Sequence, residues 1–235
     1  MSGAIVVGAG PGIGLAVSRR FAREGYPVGV IARSSATLAG VQAELDSTGA
    51  ETAAAAADVT DTGALTAALD AITERFGVPD VLVYNAALIQ WDEFGELMAQ
   101  GHLDAWATNV GGAITAIGHL APRMAARGSG TIIITGGMPT PIPEVTSLSL
   151  GKAGVRALAE LLEAKFAPSG LHVATVTVAG AVAPGTDFDP DEIAERYWAL
   201  HSQPPGEWER EVLYTGTPAR SIGLDRRARE ELSRP

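Results

Sequence analysis

Glycines at 8, 12 and 14 stand in the run VGAGPGIG, between a short apolar stretch and a helical pattern. Residues without a Cβ allow a tight turn. They also let backbone N–H groups approach a diphosphate at the N-terminus of the helix that follows. The chemistry this suggests is dinucleotide binding, with Gly8, Gly12, Ile13 and Gly14 as the cradle. A glycine spacing alone is a weak signal, and its place after a strand and before a helix at the opening of a domain strengthens it. A second candidate lies in VIARSSATL. A carboxylate at the end of that strand would bond the ribose hydroxyls of NAD and repel a 2′-phosphate. Here Ala32 is followed by Arg33 and Ser34, a guanidinium and a hydroxyl that suit a phosphate. The competing reading makes Arg33 an ordinary solvated residue.

Other chemistry-bearing side chains are more scattered. Lys152 stands in TSLSLGKAGVRAL, the start of a long helical pattern. Asp189, Pro190 and Glu192 supply a cap, a first-turn proline and first-turn acid for another helix. That helix puts Tyr197 and His201 four residues apart on one face, and either could donate a proton. Packing of Tyr197, Trp198 and Leu200 against the core is the competing reading. Tyr84 is a further phenol, and Trp91 in ALIQWDEF is either a pocket residue or an exposed loop aromatic. Metal chemistry finds no support. His102, His119, His172 and His201 lack ligand spacing, and His172 falls at a strand start. DFDPDE lacks the turn glycine of a calcium loop and carries Pro190 inside it and Trp198 at the twelfth position. The chain has no cysteine, which excludes disulfides and thiolate sites.

The elements that must position these residues alternate. Apolar runs at 4–7, 27–32, 51–58, 79–86, 130–136 and 170–180 read as strands. Helical patterns lie between them, two of them long, around 99–127 and 145–167. Continuous apolar strands separated by amphipathic helices predict an α/β fold: a single-domain, doubly wound parallel sheet, Rossmann-like, with helices on both faces. The 235 residues suit one such domain. The expected organisation is a dinucleotide-binding domain over 1–220, with a substrate lid over about 183–212, and a charged tail over 221–235. A net charge of -10 argues against nucleic acid and against an anionic membrane surface. No segment approaches the roughly 20 apolar residues of a membrane span, and the N-terminus does not read as a signal peptide. The expectation is a cytoplasmic protein acting on a small molecule.

Further motifs occur in a consistent order. These are ADV at 57–59, YNAA at 84–87, TNVGG at 108–112, and GKAGVRALAELLEAKFAPSGLHV from 151. Together with the glycine turn they resemble the short-chain dehydrogenase/reductase family, over residues 4 to about 182. The resemblance implies that Asp58 and Val59 contact adenine. It adds Asn85, Ala86, Lys152 and Val182 to the cofactor set. The Arg33 arrangement implies NADP(H), with NAD(H) as the alternative. It also implies pairing through the two long helices, as a homodimer or homotetramer.

The same resemblance exposes a gap. Family catalysis uses an asparagine, a serine, a tyrosine and a lysine. Asn109 and Lys152 match by position, but Leu148 stands where the tyrosine is expected. The serine position falls on Gly137 by motif or on Thr135 by spacing. Reducing a ketone develops charge on oxygen, and a positioned acid contributes about 10²–10⁴-fold. Three readings follow. Tyr197 or His201 replaces the lost acid. Alternatively, the hydride acceptor is an iminium ion or a conjugated alkene that needs no acid at oxygen. Or the site serves a non-redox step, such as cyclisation or isomerisation, or only binds a dinucleotide.

Overall fold

Among the described residues, seven parallel strands form one sheet in the order β3-β2-β1-β4-β5-β6-β7. The computed structural model describes residues 2–216. The strands are β1 Ala4–Val7, β2 Val28–Ala32, β3 Thr52–Ala56, β4 Val81–Tyr84, β5 Gly130–Thr135, β6 Leu171–Val178 and β7 Glu211–Tyr214. The helices are α1 Ile13–Arg23, α2 Ser35–Asp46, α3 Thr62–Phe76, α4 Ala99–Trp106, α5 Gly112–Arg127, α6 Thr146–Phe166 and α7 Pro190–His201.

Alternation along the strands builds two cores, because successive side chains point to opposite faces. Val28, Val30, Val81, Val83 and Ile133 pack with Phe21 of α1, Leu45 of α2 and Leu200 of α7. Ile5, Val7, Leu82, Ile132 and Ile134 pack with Leu69 of α3, Leu120 of α5 and Val155 of α6. Each such side chain, fully buried, contributes about 1.5–3 kcal/mol. The sheet is therefore covered on both faces, as its uninterrupted apolar strands require.

Two expectations need correction. Within the expected lid, 183–212, the helix Pro190–His201 does not line the cleft. The cap of α7 forms as expected, with Asp189 accepting from Asp191 N at 2.8 Å. Yet α7 lies against α1 as part of the core: Trp198 stands edge-on to Phe21 with centroids 5.6 Å apart, and Arg20 lies 4.9 Å over the Trp198 ring. The same stretch then enters β7, whose four residues give too short a pattern to read from sequence. The long helix expected over 99–127 is interrupted by a π-helical turn, Ala107–Gly111. The charged tail expected over 221–235 lies outside the described residues.

Candidate functional site

A cleft of about 540 Å³ opens at the C-terminal ends of β1 and β4, where the strand order reverses. Its floor is the glycine turn. Gly8 has φ +91°, and a Cβ there would stand 2.3 Å from Ala86 N. A Cβ on Gly14 would stand 2.5 Å from Gly8 O. At Gly12 a Cβ would meet nothing within 4 Å, so the turn is open on that side. No side chain caps the N-terminus of α1 at Gly12, which leaves its first amides to a ligand. Ile13, Val59, Ala86 and Val182 also line the cleft.

Its polar groups suit a phosphate-bearing dinucleotide. Arg33 and Ser34 line the cleft at the end of β2, and the Arg33 side chain is exposed. Ser34 accepts from Thr37 N at 3.4 Å as the cap of α2, which leaves its own proton to donate. Asp58 accepts from Thr60 N at 2.9 Å and Thr60 Oγ1 at 2.8 Å. Those bonds hold its carboxyl below the usual range, so it is an ionised acceptor at neutral pH. The cradle and this donor set fit a nicotinamide dinucleotide.

Apolar side chains line the cleft as well: Leu148 from the first turn of α6, and Met138, Leu88 and Ile89. Gly137 is the position that faces the lysine: a Cβ there would lie 3.6 Å from Lys152 Cε. Thr135 presents its backbone instead, its carbonyl accepting from Lys152 Nζ at 2.7 Å. A side chain at Gly137 would thus face Lys152, and neither Gly137 nor Leu148 carries a hydroxyl. Lys152 is buried, and desolvation pushes its ammonium down to about 8. Met138 adopts φ +48°, uncommon for a side-chain-bearing residue, and Arg156 Nη1 donates to Gly137 O and Met138 O, each at 3.0 Å.

The remaining expected residues fall elsewhere. Asn109 sits in the π-helical turn, buried behind the cleft wall, accepting from Leu88 N at 2.8 Å and donating to Leu88 O at 3.3 Å. Tyr197 and His201 do share one face of α7, but it is the buried face. Tyr197 is wholly buried, with its hydroxyl 2.7 Å from Thr135 Oγ1, and burial raises its pKa. His201 lies near the other end of β5, between Tyr26 Oη and Thr131 Oγ1 at 2.9 Å each. Neither side chain lines the cleft. Tyr84 is buried and donates to Thr108 O at 2.6 Å. Trp91 is 83% exposed and outside the cleft, while its neighbour Ile89 lines it. Sequence reasoning missed Met138 and Arg156, because nothing in a side chain's type announces a left-handed backbone or a clamp upon it.

Fold and cleft together define a doubly wound, nucleotide-binding α/β protein. The family model for short chain dehydrogenase matches residues 2–192, and the chain belongs to that oxidoreductase family. It is 26% identical over 224 residues to a short-chain dehydrogenase/reductase of Armillaria gallica, covering 92% of this chain and 82% of that one. It is 30% identical over 196 residues to the 3-oxoacyl-(acyl-carrier-protein) reductase FabG of Staphylococcus aureus, covering 82% and 80%. An alcohol dehydrogenase from the archaeon Thermococcus sibiricus, complexed with 5-hydroxy-NADP, superposes with a TM-score of 0.80. That pair is 25% identical, with 90% of this chain and 95% of that chain covered.

Proposed function

We propose that this protein is an NADP(H)-dependent oxidoreductase whose substrate is an iminium ion rather than a ketone. One observation carries the reading: Leu148 and Gly137 stand where the tyrosine and serine are expected, the phenols and imidazole that could have replaced the lost acid are buried or distant, and the Lys152 ammonium is engaged by the Thr135 carbonyl. When bound, NADPH supplies the hydride. An iminium carbon accepts it while the C=N π pair settles on nitrogen, so the product is a neutral amine and no proton is delivered. A ketone leaves charge on oxygen, and a missing donor there costs roughly 3–4 kcal/mol. A conjugated enone ends as an enolate and must take its proton from water.

The chain's own residues then have modest tasks. The glycine turn and the α1 amides hold the diphosphate, Arg33 and Ser34 the 2′-phosphate, and Lys152 the nicotinamide ribose. Asn109 fixes the wall through Leu88. The 5-hydroxy-NADP complex of the archaeal alcohol dehydrogenase and the guanidinium at the end of β2 support the cofactor choice. The net charge of -10 favours the approach of a cationic substrate. No helix among the described residues is long and apolar enough to cross a membrane, and the cytoplasm is the proposed location. Leu103, Trp106, Ile114, Leu150 and Leu161 are exposed on α4, α5 and α6, which supports a homodimer or homotetramer built on those helices.

Calorimetric titration with NADPH, NADP, NADH and NAD, followed by turnover with a cyclic iminium salt and mass spectrometry of the amine, tests this. Selective NADPH binding and amine formation are expected. Binding without turnover of any acceptor would leave a dinucleotide-binding protein, and no binding at all would remove both.

A further inference from the structure

Resting on the cleft as a dinucleotide site, we propose that Tyr197 is a positioning residue: acting through Thr135, it sets both Lys152 and the glycine turn from the far side of the sheet.

The direction of each bond follows from what each group can do. Asn85 Nδ2 donates to Gly8 O at 2.8 Å, which fixes Asn85 Oδ1 as the acceptor on its other side. Thr135 Oγ1 lies 2.9 Å from that oxygen and must donate to it. A hydroxyl has one proton, so at 2.7 Å the Tyr197 hydroxyl is the donor and Thr135 Oγ1 accepts. The main chain of Thr135 meanwhile receives Lys152 Nζ at 2.7 Å. One threonine thus joins four elements: α7 through Tyr197, the β4 end through Asn85, the turn after β1 through Gly8, and α6 through Lys152. Every member is buried or partly buried, where an unmet partner carries its full desolvation cost. Lys152 makes this bond without a carboxylate partner among the described residues. The placement of the Thr135 carbonyl therefore governs where the ammonium sits.

The chain makes a clean test available, because it contains two lysines, Lys152 and the exposed Lys165. Isotope-labelled lysine can be titrated by NMR in the protein without any ligand, with Lys165 as internal reference. In Tyr197→Phe the Lys152 midpoint should move down, since the charged form loses a well-placed acceptor, while Lys165 stays fixed. NADPH affinity should fall about five-fold, which is about 1 kcal/mol. Thr135→Val should do at least as much, Thr135→Ser should stay within about two-fold, and Tyr197→Phe added to Thr135→Val should cost nothing more. A Lys152 titration that is unchanged in Tyr197→Phe, or losses from the two variants that simply add, would overturn the proposal. Failure of the wild type to bind any dinucleotide would instead overturn the function proposed above, and the lysine titration would still decide this one.

Discussion

Lys152 concentrates the tension between stability and function in a single side chain. Its ammonium is buried, bonded to one carbonyl, and pushed by desolvation down to about 8 from the 10.5 of an ordinary lysine. The sign follows from linkage. With the folded value below the unfolded one, the charged lysine weakens the fold. Its contribution is best above about pH 10.5 and is lost as the pH falls to about 8. Lys152→Met should therefore raise stability at pH 7 by about 1–3 kcal/mol while weakening NADPH binding by about ten-fold or more. The stability gain should vanish near pH 10.5, which thermal unfolding at the two pH values measures. Arg33→Ala should cut NADPH affinity about 10–100-fold and leave NADH affinity nearly unchanged, the loss of charge-assisted bonds to a phosphate. Much at this scale was legible: the glycine turn, Arg33, Lys152 and the bare Leu148 all follow from residue type and register. The role of Thr135 was not, because its side chain and its carbonyl serve different partners and sequence shows neither.

Helices are set against each other here by missing side chains. A Cβ on Gly151 would stand 2.8 Å from Asn109 Cβ, and one on Gly154 would stand 2.6 Å from the Trp106 ring. So α6 reaches the π-helical turn only because both positions are glycine. Gly40 in α2 is the contrast, with nothing within 4 Å of its absent Cβ. Gly151→Ala should destabilise by about 1–3 kcal/mol from overpacking, and Gly40→Ala should stabilise by about 0.5–1 kcal/mol. Denaturation midpoints of the two variants should move in opposite directions. The existence of α6 and α7 was plain from spacing and caps, yet the destination of α7 was not. Amphipathic periodicity says that a helix has an apolar face, and it does not say whether a cleft or α1 covers it. The π-helical turn left no trace because the apolar pattern runs through it unbroken.

For the whole molecule, the alternation of strands and helices in the sequence fixes the doubly wound sheet, and the sheet order fixes where the cleft lies. What alternation leaves open is assembly. If the exposed apolar side chains of α5 and α6 face a second copy, Ile114→Glu with Leu161→Glu should yield a monomer by light scattering while dinucleotide binding persists. The reaction itself is measured most directly by the ratio of kcat/KM for a cyclic iminium ion to that for the matched cyclic ketone, with NADPH. Wild type should strongly favour the iminium. Gly137 has room for a side chain, its Cβ position 3.6 Å from Lys152 Cε, so Gly137→Ser combined with Leu148→Tyr should raise ketone reduction by about 10²–10⁴-fold and narrow the ratio. Ketone reduction by wild type as fast as iminium reduction would contradict the account, because a group in the cleft, the Lys152 ammonium first, would then be serving as the acid.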